Sequence, residues 1–161
     1  GDRPHWRAQL LQRFAKSMPQ HLERIQFVPQ QDIENFYDFI AASDVVLDSL
    51  HVGGGVTTMD VFATGTPIVT LPTENMRSRF TAACYRRMGI EECIAASTAG
   101  YVEIALRLAN DRSRQEKLRA QILERSACLY HDTSGVHEFA RLFEMAIAAK
   151  MNQTHPKASI K

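Results

Sequence analysis

Cysteine is scarce in this chain. Three occur among 161 residues, Cys84, Cys93 and Cys128; they are too few and too far apart for a framework of bridges, and no C-x-x-C or Cys/His cluster suggests zinc. Buried thiols in a reducing, cytoplasmic compartment are the expectation. Long apolar runs are missing as well. None approaches the roughly 18 residues that cross a bilayer, and the opening GDRPHWRAQL lacks an apolar signal region, so neither a membrane span nor a signal peptide is expected. An excess of one charge is also absent. Lys and Arg number 19 against 18 Asp and Glu, a net charge of +1, which gives no overall field to draw nucleic acid or anionic lipid. Any basic function has to be local. What remains is an ordinary globular composition, 45% hydrophobic and 23% charged, which excludes collagenous, disordered and disulfide-scaffold classes. A domain of this length buries roughly two thirds of its unfolded surface and needs no metal staple. The chain starts without Met and in mid-pattern, so it is expected to be part of a longer protein.

The periodicity predicts alternating elements. Trp6, Leu10, Leu11, Phe14 and Met18 mark a helix over 4–18 that Pro19 ends. Residues 24–28 predict a short strand stopped by Pro29. Ile33, Phe36, Tyr37, Ile40 and Ala41 then follow at helical spacing behind an Asp32 N-cap. The apolar residues clustered within 44–47 and 67–71 predict strands covered on both faces in a parallel sheet. Between them, Thr57 or Thr58 caps a short helix that Gly65 ends. Another helix carries Phe80, Ala83, Cys84 and Met88 and stops at Gly89, and residues 93–95 suggest a last short strand. The remainder reads as helical: Val102, Ala105, Leu106 and Ala109 line one face, Leu118 and Ile122 another, and Val136, Phe139, Ala140, Phe143 and Ala146 a third. Together these predict an α/β fold, a doubly wound parallel sheet with extra helices packed at the C-terminal end. One domain is expected over residues 1–150, with a frayed tail over 151–161.

In such sheets ligands bind beyond the carboxyl ends of the strands, and the richest loop there is the one after Leu47. The segment Asp48-Ser49-Leu50-His51-Val52-Gly53-Gly54-Gly55-Val56-Thr57-Thr58-Met59-Asp60 runs from a buried strand into a helix N-terminus. Glycines let the backbone approach a ligand, first-turn N–H groups have no intrahelical acceptor, and the two threonine hydroxyls add uncharged donors. A phosphate or diphosphate fits; a plain tight turn with Thr57 as an ordinary cap is the competing reading. A P-loop needs Lys before its Ser/Thr, and Val56 stands there; the G-x-G-x-x-G dinucleotide fingerprint is also absent. Asp60 has two readings, an acceptor for sugar hydroxyls or a carboxylate favoured by the helix dipole. Arg77 and Arg79 follow the strand predicted over 67–71, within a stretch from Met76 to Ile90 free of acidic residues. They could reach a diphosphate through bidentate bonds, or simply lie on a solvated helix face, the reading preferred for Arg86 and Arg87. The histidines form no ligand pair, since His131 and His137 do not share a helix face, and no metal is implied.

The pieces DVVLDS, GGGVTTMD and GTPIVTLP, in that order and spacing, resemble the donor-binding half of GT-B glycosyltransferases, within them the O-linked N-acetylglucosamine transferase (SPINDLY-like) family. The likeness extends from Arg24 to about Phe143. It implies a Rossmann-like C-terminal half of a GT-B fold, in which Gly53, Gly54, Gly55, Val56, Thr57 and Thr58 bind the diphosphate of a UDP-sugar without a metal. Asp60 would grip the ribose, and the loop around Pro29, Gln30 and Gln31 would lie beside the uracil. The sugar would be N-acetylglucosamine or a related hexose, passed to a protein or glycan acceptor. Many eukaryotic relatives have His-Thr-Thr in the phosphate loop, where an ungapped alignment puts Gly55, Val56 and Thr57; His51, four residues earlier, is then a candidate to face the phosphates. The basic uracil-side residues of the better-known relatives find no match, because Ile33 and its neighbours are apolar or acidic. The resemblance implies partners absent from this chain: the N-terminal GT-B domain with the acceptor site and any general base, and preceding helical repeats. The chain alone is expected to bind nucleotide and to transfer nothing. A scaffold half that has lost catalysis is the competing class. A nucleotide-sugar epimerase would need acidic and histidine residues converging on the sugar, and that set is not found.

Overall fold

Asp32 starts the first well-anchored element as its position suggests: its carboxylate accepts from Asn35 N at 2.9 Å and Asn35 Nδ2 at 2.8 Å. The computed structural model describes residues 4–130 and 132–154. Helix α1 (Pro4–Ser17) leads into a 3-10 turn over Pro19–Arg24, then α2 (Ile33–Ala41), β1 (Val46–Leu47), α3 (Val56–Ala63), β2 (Ile68–Val69), a 3-10 turn at Met76–Ser78 and α4 (Phe80–Met88). Helices α5 (Thr98–Asn110), α6 (Arg112–Arg125), α7 (Ala127–Tyr130) and α8 (Ser134–Thr154) follow.

The fold is α/β and mostly helical. Among the described residues the sheet is two parallel strands, Val46 beside Ile68 and Leu47 beside Val69, extended by a parallel bridge between Thr70 and Ile94. Both expected strands are present but short, and residues 93–95 contribute the bridge alone; β2 is buried as predicted, whereas β1 is not covered on both faces, Val46 being half-buried and Leu47 56% exposed. Two paired strands and one bridge do not make the doubly wound sheet that the sequence predicts; what forms among the described residues is a small parallel sheet within a mostly helical α/β fold. The strand expected over 24–28 does not form: Ile25 is extended (φ −94°, ψ 116°) yet carries no ladder bond, and its N–H returns to Leu22 O. Phe27 turns instead to α1, its ring 6.5 Å from that of Phe14 and its face beneath Arg7 at 5.4 Å. A β-propensity without an adjacent strand edge makes no sheet.

The core lies between the sheet and α3, α4, α5 and α6. Phe62 and Tyr85 meet edge to face at 4.8 Å, both fully buried, a favourable aromatic geometry. Tyr85 also satisfies the free edge of β2, since Ile68 N–H donates to its hydroxyl at 2.8 Å. The helix ends are closed from a distance. Arg119 on α6 donates to Thr64 O at the end of α3 and to Ala41 O and Ser43 O at the end of α2, placing one cation on two helix C-termini. Gly65 has φ +75°, and a Cβ there would sit 2.7 Å from Leu123 Cγ. The left-handed turn and the approach of α6 both require glycine.

The third helical face does not pack. Val136, Phe139 and Phe143 on α8 are all more than 60% exposed, although the periodicity predicts a buried stripe. Helix α8 is held at its base, where Asp132 accepts from Ser134 N at 2.9 Å and pairs with Arg87 at 2.6 Å. The bonds to Ser134, then the Arg87 charge, hold the Asp132 carboxyl below its usual range. The helix continues to Thr154, past the point where fraying is expected; the rest of the predicted tail lies outside the described residues. No helix among the described residues is long and apolar enough to cross a membrane.

Candidate functional site

The glycine loop leaves β1 at its carboxyl end and enters α3, as expected for a ligand loop in a parallel sheet. Asp48, directly after the strand, is only 9% exposed. Its Oδ1 accepts from Gly54 N at 3.0 Å and its Oδ2 from Thr70 Oγ1 at 2.8 Å. Its backbone is bound on both sides too, N–H to Val69 O at 3.0 Å and carbonyl to the Tyr101 hydroxyl at 2.8 Å. Burial, then the Asp48 charge, pushes the Tyr101 hydroxyl pKa up. On the far side of the loop, Gly53 N donates to Arg77 O at 3.0 Å.

The three glycines face different surroundings. A Cβ at Gly53 would lie 3.0 Å from both Asp48 carboxylate oxygens, and one at Gly54 would lie 2.5 Å from Thr58 Oγ1, whereas one at Gly55 would meet nothing within 4 Å. The loop is therefore pressed against the protein at its first two glycines and open at the third. Beside it lies a cleft of about 460 Å³, mostly apolar in its accessible lining, to which Gly53, Gly54, Gly55, Arg77, Arg79 and Phe80 contribute.

Gly55, not Thr57 or Thr58, is the N-cap of α3, and no side chain caps this end. The first-turn N–H groups of Val56 and Thr57 therefore have no intrahelical acceptor. The two threonines divide. Thr57 is exposed, whereas Thr58 is 3% exposed with its hydroxyl 3.1 Å from that of Thr81. Thr58 serves the core because α4 reaches it there, which leaves Thr57 as the hydroxyl on the solvent side. Val56 opens the helix 79% exposed.

Asp60 is the fifth residue of α3 and lies beyond its first turn. The helix-dipole reading of its carboxylate thereby loses its ground, since that effect fades within one turn. Its Oδ1 accepts from the Tyr37 hydroxyl of α2 at 2.8 Å. That bond, ahead of burial, raises the Tyr37 pKa. Tyr130 closes the same corner by donating to Met59 O at 2.7 Å.

The other expected site residues are more scattered. Arg79 lines the cleft, exposed, with Nε donating to Thr73 O at 2.5 Å. His51 is exposed and outside the cleft lining, its carbonyl 3.4 Å from Asn75 Nδ2. Gln30 is exposed, and Gln31 Nε2 turns back to Pro29 O at 2.9 Å; neither lines the cleft. No group of three or more metal-ligating side chains occurs among the described residues, and of the histidine pair named above His131 lies outside them. Reading the sequence for sites misses Asp48, Tyr37 and Tyr101. A signal for Asp48 was present: a carboxylate ending a run of consecutive apolar residues has to find donors, and the glycine amides are the nearest.

Comparison with known proteins finds a family, a curated relative and a solved structure that this chain resembles. The family described as Glycosyl transferase family 41 matches residues 4–135. The UDP-N-acetylglucosamine--peptide N-acetylglucosaminyltransferase of Caenorhabditis elegans is 38% identical over 80 residues, covering 50% of this chain and 7% of that protein. A solved mutant O-GlcNAc transferase of Thermobaculum terrenum superposes with a TM-score of 0.71 at 24% identity, over 87% of this chain and 26% of that one. The chain thus shares the fold of about a quarter of that structure.

Proposed function

This chain belongs to glycosyl transferase family 41, and from that premise we propose that it is the donor-binding part of a transferase that passes N-acetylglucosamine or a related hexose from a UDP-sugar to a protein or glycan. The observation that carries the reading is the glycine loop: it rises from the carboxyl end of β1, is open at Gly55, and points the uncapped N-terminus of α3 at solvent beside a cleft that holds two arginines. Free N–H groups and the helix dipole favour a diphosphate there.

As the glycosidic bond breaks, negative charge grows on the leaving diphosphate. Amides already fixed at Val56 and Thr57, with the Thr57 hydroxyl and the guanidinium of Arg79, stabilise that charge more in the transition state than in the ground state. In this reading the site works with its own donors and no metal ion. Asp60, held by Tyr37, keeps its second oxygen for a ribose hydroxyl, while Gln30 and Gln31 offer backbone groups to the base. Acceptor binding and proton abstraction fall to the domain and repeats outside this chain, so the chain alone transfers nothing. A reducing, cytoplasmic setting is the one that three cysteines scattered without a bridge-forming pattern suit.

A second reading, a GT-B half that binds without supporting catalysis, draws on Val56, which gives the diphosphate no side-chain donor at the first helical position. Titration of amide resonances with UDP, UMP and GDP tests the main reading. Saturable shifts from Gly53 to Asp60, larger for UDP than UMP and weakened by Thr57→Ala and Asp60→Ala, are expected. Shifts elsewhere, or none at millimolar ligand, would refute donor binding by this chain. Turnover by the purified chain would refute the division of labour.

A further inference from the structure

We propose that Asp48 is a positioning residue that sets the glycine loop in its anion-accepting form through the Gly54 amide; the functional half of this inference rests on the donor-site reading above. All four polar atoms of this residue are bonded, and to three different parts of the fold: β2 and the residue after it through Val69 and Thr70, α5 through Tyr101, and the loop through Gly54. The residue is 9% exposed, so its carboxylate needs those donors to remain buried. It also templates the loop sterically, because a Cβ at Gly53 would lie 3.0 Å from each of its oxygens.

The consequence is directional. With the Gly54 N–H turned inward to Asp48 and that of Gly53 turned to Arg77 O, the next amides, those of Gly55, Val56 and Thr57, are the ones presented outward. Asp48 has both oxygens in use beneath the loop. Its part is therefore that of a fixed acceptor and not of a general base, and hydrogen-bonding capacity matters more than charge. A carboxylate behind an anion site opposes the anion electrostatically, so a neutral acceptor of the same shape should serve nearly as well.

The test uses this chain with inorganic pyrophosphate and UDP as probes, and reads amide exchange by NMR before any ligand is added. In the unaltered protein Gly54 should exchange at least about tenfold more slowly than Val56, as expected for a bonded against an unbonded amide. Asp48→Ala should remove that protection and weaken binding of both probes about tenfold, while Asp48→Asn, which keeps an oxygen for Gly54 and a group for Thr70, should stay within about threefold of the unaltered chain. Tyr101→Phe, which cuts only the bond to the Asp48 backbone, should lower stability and leave both Gly54 protection and binding in place.

Equal exchange at Gly54 and Val56 in the unaltered protein overturns the proposal. So does a Tyr101→Phe variant that loses as much affinity as Asp48→Ala, since the effect would then be general loosening. If Asp48→Ala does not fold, the Gly54 exchange rate and the Asp48→Asn and Tyr101→Phe pair decide. If the unaltered chain binds neither probe, the donor-site reading falls and takes the anion-accepting half with it, whereas protection lost in Asp48→Ala would still establish the clamp.

Discussion

Phe62 on α3 is fully buried, while Phe139 and Phe143 on α8 are 63% and 62% exposed, although all three sit at apolar positions of well-formed helices. Helix α3 has eight residues and α8 has 21. By length alone the longer one should be the more self-sufficient. The short helix is nonetheless the central one, because α2, α4 and α6 surround it: Tyr37 meets its Asp60, Tyr85 its phenylalanine, Thr81 its Thr58, and Arg119 its C-cap carbonyl at Thr64. Helix α8 has Arg87 and Asp132 at its base and the Phe139–Phe143 contact along its own face. Periodicity describes which face of a helix is apolar; burial also requires a second surface.

The sharpest way to break this comparison is truncation on the two helices. Phe62→Ala should cost about 3–5 kcal/mol, as for a large aromatic removed from a packed core, whereas Phe139→Ala should stay within about 0.5 kcal/mol; urea unfolding of both variants reads the difference. A comparable loss at Phe139 would mean that α8 packs on the domain in solution. Next comes Gly65→Ala, expected to cost about 1–3 kcal/mol through the positive φ and the collision with Leu123 and Arg119. An unchanged midpoint would show that α6 can retreat.

The adjacent threonines sharpen the contrast between a residue given to the core and one left at the site. Thr58→Ala should lose about 1 kcal/mol of stability from the severed Thr81 contact. Thr57→Ala should leave stability alone and weaken UDP binding about fivefold. Calorimetry and a nucleotide titration on both variants separate the two, and reversed effects would contradict the assignment. Tyr37→Phe should weaken UDP by a smaller factor, of about two- to threefold, because it frees Asp60 to move without removing its carboxylate.

The last contrast is between thiols. Burial pushes Cys93 from its ordinary 9.0 up to about 12, and raises Cys84 and Tyr85 in the same direction. Raised values favour the neutral forms in the folded chain. Their contribution to stability is therefore complete below pH 9 and declines as pH climbs through about 12. The urea midpoint should fall across that window, and less steeply in Cys93→Val. At neutral pH the exposed Cys128 should react with a thiol reagent while Cys84 and Cys93 wait for unfolding.

Much of the scaffold was legible residue by residue. Asp32 caps α2, Gly65 and Gly89 end α3 and α4 with positive φ, and the two apolar runs form the paired strands, because caps, left-handed turns and strand propensity are local requirements written in residue type; burial is not, and only β2 is buried while Leu47 of β1 is exposed. The glycine loop was legible on the same terms. The cap of α3 was misread, since Gly55 and Thr57 are both acceptable there locally and the choice fell to packing between Thr58 and Thr81. Residues 24–28 were misread for the related reason that a strand needs a neighbouring edge. Nor did spacing bring Tyr37 to Asp60, 23 residues away, or Tyr101 to Asp48, 53 residues away.

By itself, then, the sequence determined the order of elements, the helix stops and a glycine-rich entrance to α3, all of which depend on contacts within a few residues. The tertiary structure alone decided which threonine faces solvent, which carboxylate lies under the loop and which apolar helix is buried. Those outcomes depend on hydrogen bonds and surfaces contributed by distant segments, and a short helix or a buried carboxylate acquires its stability only when such partners arrive.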